Sequence, residues 1–502
     1  MNLTVLLLIG SLALLGWSFW RARRSGKLGI LVWLQSASLF LPWLIFLSLA
    51  PFGLLPSPAL LIGVLVISTG TYIWLGGKLR EVAREQEKLL RERQRLEFDV
   101  LPTTDTSPVL GVELPPQMTE LADPEASRIP ESDLQTMRGF FGIDSFFVTE
   151  TLPFRQGMLF RGNLRGEAAL VYGDLNAKMQ KAFAESYRVF LLADEESKPA
   201  VLVVPTERDP FEPPKVSWVA TLGLLLLTVG SLILYSSAAL EFDPFQNPEK
   251  LPLALPITAG LLFVLAVHEA GHRWQAQRYG VKLSAGYLLP LISPFPVAPL
   301  GFAIPPGTFG ALTQFKTPPP TRKALFDIAI AGPALGGLIS FAFLVSGFLL
   351  SVTTSKSGAF TVPADLLSTF NILIAGLIRL RWGVLPAAQL IELNPLALIG
   401  IFGLNITALS LLPAGQLDGG RIVQAIYGRR TARIVGNVTT AILAIAGFFV
   451  PTFLYWAAVL FFFARTQERP TLNELTETDN LRDILGLVAL FLMAAILLPF
   501  RG

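Results

Sequence analysis

The chain has 502 residues, of which 52% are hydrophobic and only 15% charged, with 36 Phe, 9 Trp and a net charge of +3. Soluble globular domains carry about 25% charged residues, so this balance excludes a soluble protein, and the small net charge gives no nucleic-acid signature. It specifies a polytopic α-helical membrane protein, with the lipid bilayer as an obligatory partner. Cysteine is absent, so no disulfide forms, and any zinc must be held by nitrogen and oxygen ligands.

A bilayer span needs about 20 mostly apolar residues. In chain order this predicts about ten transmembrane helices, at 2–20, 29–51, 54–76, 217–239, 252–274, 324–350, 386–414, 434–449, 452–464 and 484–500. The first is read as a retained helix and not a signal peptide. Its basic residues Arg21, Arg23 and Arg24 follow the apolar run, and no small-residue cleavage site comes after them. Residues 78–97 alternate Lys, Arg and Glu at i,i+4 spacing, which predicts a solvated charged helix. Residues 98–133 are rich in Pro, Thr, Ser and Asp and read as a linker. Next comes a small α+β domain, with a helical pattern over 174–187 and a strand at Val201–Val204. The expected division is therefore 1–77 (three membrane helices), 78–133 (charged helix and linker), 134–215 (soluble domain), 216–465 (membrane core) and 466–502 (a loop and a last helix).

Orientation follows from the basic connections. Arg21–Lys27, Lys78–Arg95, Lys316–Lys323 and Arg421–Arg433 are cationic, while Glu241–Lys250 is acidic to neutral. All the cationic stretches fall on one side if the N-terminus is outside or lumenal. The soluble domain then lies on the cytoplasmic or stromal side.

The span at 252–274 carries His268, Glu269 and His272 in an H-E-x-x-H pattern, and these are the only two histidines of the chain. On a helix, residues i and i+4 project from one face about 5–6 Å apart, so both imidazoles can reach one Zn²⁺. Glu269 is adjacent and placed as general base. A chance match is the competing reading. An ionisable trio inside a bilayer nevertheless needs a reason to exist, because such groups cost about 2.5–3.5 kcal/mol each at a helix centre. A catalytic zinc takes three protein ligands, and without Cys or a further His the third must be a carboxylate. Asp418, in Leu417-Asp418-Gly419-Gly420-Arg421, is the best candidate, since it falls on the same side as the end of the His-bearing helix. Asp327 is a weaker one, and Glu392 lies toward the opposite end of its span. Taken alone, Asp418 reads equally well as a helix-end turn residue beside two glycines.

From Leu261 to Arg433, about a third of the chain, the sequence resembles the site-2 protease family of zinc intramembrane metalloproteases. The resemblance rests on His268-Glu269-Ala270-Gly271-His272, on Gly307-Thr308-Phe309-Gly310-Ala311-Leu312-Thr313, on Ile330-Ala331-Gly332-Pro333-Ala334-Leu335-Gly336 and on Leu417-Asp418-Gly419-Gly420. Arg161-Gly162-Asn163-Leu164-Arg165-Gly166-Glu167 is similar to a motif of the plant and cyanobacterial branch, named for ethylene-dependent gravitropism-deficient and yellow-green mutants. A basic turn in a folded domain is the favoured reading of that motif, ahead of a substrate contact.

The resemblance implies one Zn²⁺ per chain held by His268, His272 and Asp418, with Glu269 as the base. It implies cleavage of single-span membrane protein substrates, in a cell or thylakoid membrane, with the active-site mouth on the cytoplasmic or stromal side. It also implies a re-entrant or hairpin segment at 285–315, where six prolines between Pro290 and Pro306 forbid a continuous helix. There Phe309 and Gly310 are candidate substrate contacts on an edge strand. Many relatives carry Asn eight residues before the Asp ligand. This chain has Ser410 there, with Asn405 nearby, and both are kept as candidate substrate-binding residues. Two alternatives to proteolysis are a non-proteolytic membrane scaffold or chaperone of the same fold and a zinc transporter.

Overall fold

The computed structural model describes residues 3–49 except 25, scattered positions between 64 and 79, and residues 129–497 except 155–156, 195–197, 210–217, 291–306, 357, 359, 369–370, 387, 448–455, 458–459 and 461–465. Most of the expected span at 54–76, nearly all of the charged helix and the linker, much of the proline-rich segment and most of the span at 452–464 lie outside the described residues. The chain forms two units, residues 1–113 with 501–502, and residues 114–500. In the first, α1 (Leu3–Arg23) and α2 (Gly26–Leu49) are apolar helices. The Trp33 indole donates to the Leu15 carbonyl at 3.2 Å and to Ser18 Oγ at 3.0 Å, so its polar atom is satisfied within an apolar pair.

The second unit opens with an α+β fold: α3 (Glu131–Arg138), β1 (Phe146–Phe154), β2 (Gly157–Leu164), α4 (Ala168–Phe183), β3 (Tyr187–Ala193) and β4 (Pro199–Pro205). The four strands make an antiparallel sheet in the order β1-β2-β4-β3. Strand periodicity separates its two faces. Val201 and Val203 pack with Leu134, Met137, Leu175 and Met179 of the two helices, while Leu202 and Val204 pack on the other face with Phe190 and the distant Leu472. The Arg161–Glu167 motif ends β2 and enters α4. A Cβ on Gly162 would collide with the Phe147 carbonyl, beside the irregularity between Val148 and Glu150 of β1. Arg161 pairs with Glu150 at 2.9 Å and Asp194 at 2.8 Å. Those contacts make the motif a closure of the sheet.

The remaining elements are α5 (Trp218–Ala239), α6 (Leu251–Arg278), β5 (Tyr287–Pro290), β6 (Thr308–Leu312), α7 (Arg322–Leu350), β7 (Val352–Thr354), β8 (Thr361–Pro363), α8 (Ala364–Ser368), α9 (Ile372–Trp382), β9 (Leu390–Glu392), α10 (Pro395–Ser410), α11 (Asp418–Gly447) and α12 (Asn480–Leu497). Among the described residues, four helices are long and apolar enough to cross a membrane: Thr221–Ala239, Pro248–Arg278, Arg322–Leu350 and Asn480–Leu497. Local chemistry sets the helix starts. Thr321 caps α7 by accepting from the Ala324 amide, and Asn371 caps α9 in the same way. Asn394 caps α10, with Pro395 at the first helical position, where its missing N–H costs nothing.

Three expected boundaries differ. The helix expected over 174–187 runs from Ala168 to Phe183, and Tyr187 opens β3. The apolar stretch predicted as a helix from 386 enters through β9, which pairs with β7 and β8 in a small cap, and the helix begins only at Pro395. The cationic stretch 421–433, read as a connection, lies inside α11, which is broken only at Gly428 (φ 82°).

α10 is buried on nearly every side and meets α7 backbone to backbone. An added Cβ at Gly347 would fall within 3.0 Å of Ala397, one at Gly400 within 3.0 Å of Leu344, and one at Gly403 within 3.0 Å of Ser340 Oγ. Without a hydrophobic drive between helices in lipid, such small-residue contacts supply the packing. Gly400→Val is expected to lower thermal stability in detergent by at least about 1–3 kcal/mol through overpacking. Gly376→Ala, where a Cβ meets nothing within 4 Å, should stay within about 1 kcal/mol of wild type. Unfolding monitored by circular dichroism checks both.

Candidate metal centre

The 28-residue α6 carries the two histidines in its second half. At 1.5 Å per residue, His268 stands about 26 Å along the helix from Leu251, close to one end of the apolar stretch. His268 and His272 are buried, at 5% and 4% exposure, with their Nε2 atoms 3.1 Å apart. His272 Nδ1 lies 2.7 Å from the Ile328 carbonyl. A carbonyl only accepts, so Nδ1 carries the proton and the Nε2 lone pair is left for a metal. The rings lie against bare backbone of α7: a Cβ on Gly332 would collide with the His272 ring, one on Gly336 would lie 3.0 Å from His268, and one on Gly271 would run into the Ala331 carbonyl. The Gly-Pro-x-x-Gly stretch of α7 is therefore the surface on which the imidazoles rest.

Asp418 opens α11 and is 6% exposed. Its Oδ2 is 3.2 Å from His268 Nε2 and its Oδ1 3.4 Å from His272 Nε2. Ligands held at about 2.0–2.1 Å around a tetrahedral zinc are spaced by about 3.3–3.4 Å; the two imidazole nitrogens are 3.1 Å apart, and each has its own Asp418 oxygen at 3.2 or 3.4 Å. His268, His272 and Asp418 are positioned to form a metal-binding site. The Asp-Gly-Gly sequence is needed because the helix starts pressed onto the preceding turn. A Cβ on Gly419 would overlap the Leu411 carbonyl, and one on Gly420 would overlap the carbonyls of Ala414 and Gly415. Gly415 itself takes a positive φ of 50°.

Glu269 turns away from the ligand set toward the hairpin. Its Oε2 accepts from Thr313 Oγ1 at 2.6 Å, and its Oε1 lies 2.7 Å from Arg273 Nη2. Arg273 also donates to the Ser284 carbonyl at 2.9 Å. β5 and β6 form a two-stranded antiparallel ribbon with Tyr287 opposite Leu312, and Thr313 directly follows it. The carboxylate is thus held by a hydroxyl and a guanidinium.

Other candidates lie elsewhere. Asp327 accepts from Arg482 at 2.8 and 2.6 Å and from Tyr279 at 2.5 Å, which makes it a structural ion pair. Glu392 is exposed in β9. Ser410 donates to the Thr407 carbonyl of its own helix at 2.9 Å, and Asn405 is half-buried on α10. Gly310 has φ 87° and donates its N–H to Thr308 Oγ1 at 3.1 Å, while the side chain of Phe309 lies outside the described residues. Sequence reasoning gave no role to Thr313 or to the guanidinium of Arg421, which is 3.6 Å from Asp418 Oδ1. Both stand inside motifs already noted, and that was their only signal.

Residues 256–454 match the profile of Peptidase family M50, and residues 135–210 match that of the EGY3 middle domain. With three residues positioned to hold a metal in that segment, the chain belongs to peptidase family M50, a class of zinc metalloproteases. Along most of its length it is similar to a particular group of plant proteins. It is 34% identical over 387 residues to the "Probable zinc metalloprotease EGY2, chloroplastic" of Arabidopsis thaliana, covering 75% of this chain and 66% of that protein. It is 30% identical over 423 residues to the protein of the same name in Oryza sativa subsp. indica, covering 81% and 74%. With the "Probable zinc metalloprotease EGY1, chloroplastic" of Arabidopsis thaliana it shares 30% identity over 418 residues, covering 76% and 74%. No solved structure matches.

Gly332→Ala should push the His272 ring off its seat and lower bound zinc well below one per chain while the helices persist. Elemental analysis of purified protein beside its circular dichroism spectrum measures this. Thr313→Val leaves zinc in place, removes one of the two partners of Glu269, and is expected to lower kcat on a model single-span peptide by about 10–100-fold.

Proposed function

We propose that this protein is a zinc-dependent endopeptidase that cleaves single-span membrane protein substrates within the bilayer. The observation that carries the reading is the meeting of His268, His272 and Asp418 within ligand distance of one another, beside a carboxylate that is held apart from them, on a helix apolar enough to cross a membrane. Zinc bound there supplies Lewis acidity toward a scissile carbonyl and an attacking water. Glu269 takes the proton of that water and later returns it to the leaving amine. Thr313 and Arg273 hold the carboxylate in place for both transfers.

A peptide bond in a transmembrane helix is shielded by its own hydrogen bonds, so cleavage requires local unwinding. The ribbon β5–β6, through Phe309 and Gly310, is the place where an unwound substrate can pair as an added strand, and Ser410 and Asn405 are the polar groups of α10 offered to it. The proposed topology has about ten spans and a re-entrant 285–315 segment. The N-terminus is outside or lumenal, and the soluble domain at 134–215 and the site mouth face the cytoplasm or stroma, in a cell or thylakoid membrane. Supporting this are the one-sided basic connections and the position of Arg273, Arg278 and Lys282 just beyond the motif. A scaffold has no need of an assembled ligand set. A transporter needs polar groups along a path, whereas here the triad is concentrated at one end of α6.

Glu269→Gln should keep one zinc per chain and lower cleavage of a model single-span peptide by about 10²–10⁴-fold. Cleavage at the wild-type rate by this variant defeats the proposal, and so does zinc flux through vesicles holding the wild-type protein with no proteolysis.

A further inference from the structure

Residues 467–474 lie beyond the segment matched by the peptidase profile, yet they link the metal centre to the soluble domain. Glu468 is 4% exposed and accepts from Arg421 Nε and Nη2, each at 2.8 Å. Its second oxygen accepts from the Arg469 amide at 3.0 Å. Arg421, 3% exposed, is 3.6 Å from Asp418 Oδ1 and also donates to the Thr313 carbonyl, and the Thr313 hydroxyl holds Glu269. One guanidinium therefore touches both the ligand carboxylate and the residue that fixes the base. The strap is bound along α11: Gln424 donates to the carbonyls of Glu468 and Arg469 at 3.4 Å, and Gln467 donates to the Arg429 carbonyl at 2.6 Å.

At its other end the strap joins the soluble sheet. The Leu191 amide donates to the Leu472 carbonyl at 2.8 Å and the Glu474 amide to the Leu191 carbonyl at 2.9 Å, extending the sheet past β3 in parallel. The Asn473 side chain donates to the Ala168 carbonyl at 3.1 Å and accepts from the amides of Leu475 and Thr476. The Leu472 and Asn473 amides donate to the carbonyls of Pro319 and Pro320, just ahead of α7.

A buried ion pair is a poor source of net stability, because desolvation offsets its attraction; its use lies in geometry. We infer that the Arg421–Glu468 pair is a positioning device, anchored on the soluble domain through residues 467–474, that holds Asp418 and, through Thr313, Glu269 in register. The inference rests on the proteolytic reading only where cleavage is the readout. Partners of metal ligands typically change metal affinity or activity by about 10–100-fold when removed. In full-length protein, Glu468→Gln should therefore lower kcat and zinc affinity by about 10–100-fold with KM nearly unchanged, and should shift the visible spectrum of the cobalt-substituted protein. Glu468→Asp should restore most of the loss. Asn473→Asp, which removes the donor to Ala168 but keeps the acceptor of the local turn, should shift the cobalt spectrum in the same direction by less.

Wild-type kcat, zinc affinity and cobalt spectrum in Glu468→Gln overturn the inference. An equal loss of thermal stability in both Glu468 variants, with an unaltered spectrum, also overturns it, by reducing the pair to a structural contact. An unaltered spectrum in Asn473→Asp overturns the soluble-domain anchor. Should Glu468→Gln fail to fold, Arg421→Lys, which keeps the charge and loses the fork, must shift the spectrum, and an unshifted one overturns the inference. A wild-type protein that binds zinc but cleaves nothing refutes proteolysis and leaves the affinity and spectral arms in force.

Discussion

Three donor atoms from two helices, 150 residues apart in the chain, must meet in an apolar interior, and this requirement governs the membrane core. Two imidazoles and a carboxylate in that setting are costly without a metal or a dense set of partners. The fold meets the demand by bringing backbone close to backbone. Gly332 and Gly336 let α7 seat the histidine rings, Gly271 lets α6 lie against α7, and Gly419 and Gly420 let α11 begin directly on the turn that follows α10. α7 is thus a two-sided spacer, with one face for the metal helix and another, through Ser340, Leu344 and Gly347, for α10.

The arrangement also gives Glu269 supports of its own, apart from those of the ligand set. The ligands are held by α7 and by the tight turn before Asp418, whereas Glu269 is held by the hairpin residue Thr313 and by Arg273. Arg421 is where the two sets meet.

Part of this was legible in the sequence. His268, Glu269 and His272 announce themselves through helical spacing in a chain with no other histidine. Asp418 was reached by eliminating other donor types, and the structure places it at ligand distance. The glycines of α7 were visible as a motif but carried no reason, because their role is the absence of a side chain opposite a ring 60 residues away. Glu468 was illegible, since no local pattern ties it to Arg421, 47 residues earlier. The start of α10 was misplaced because a short apolar run reads alike as strand or helix. Ile391 is fully buried as a strand residue of the cap. The cationic stretch after Asp418 reads as a connection, although two of its polar residues, Arg421 and Gln424, are buried within a helix.

The break in α11 has a consequence for how this architecture can vary. At Gly428 the helical register is interrupted, and Arg322 from the start of α7 takes up the carbonyls of Ala425 and Ile426. The ten residues from Asp418 to Tyr427 are thereby pinned at both ends. Inserting one residue before the break would swing the carboxylate by about 100° around the helix axis. The same insertion after it leaves the carboxylate where it was and displaces instead the distal residues, turning Gly436 off the loop at Ala414 and Arg433 off Gln467.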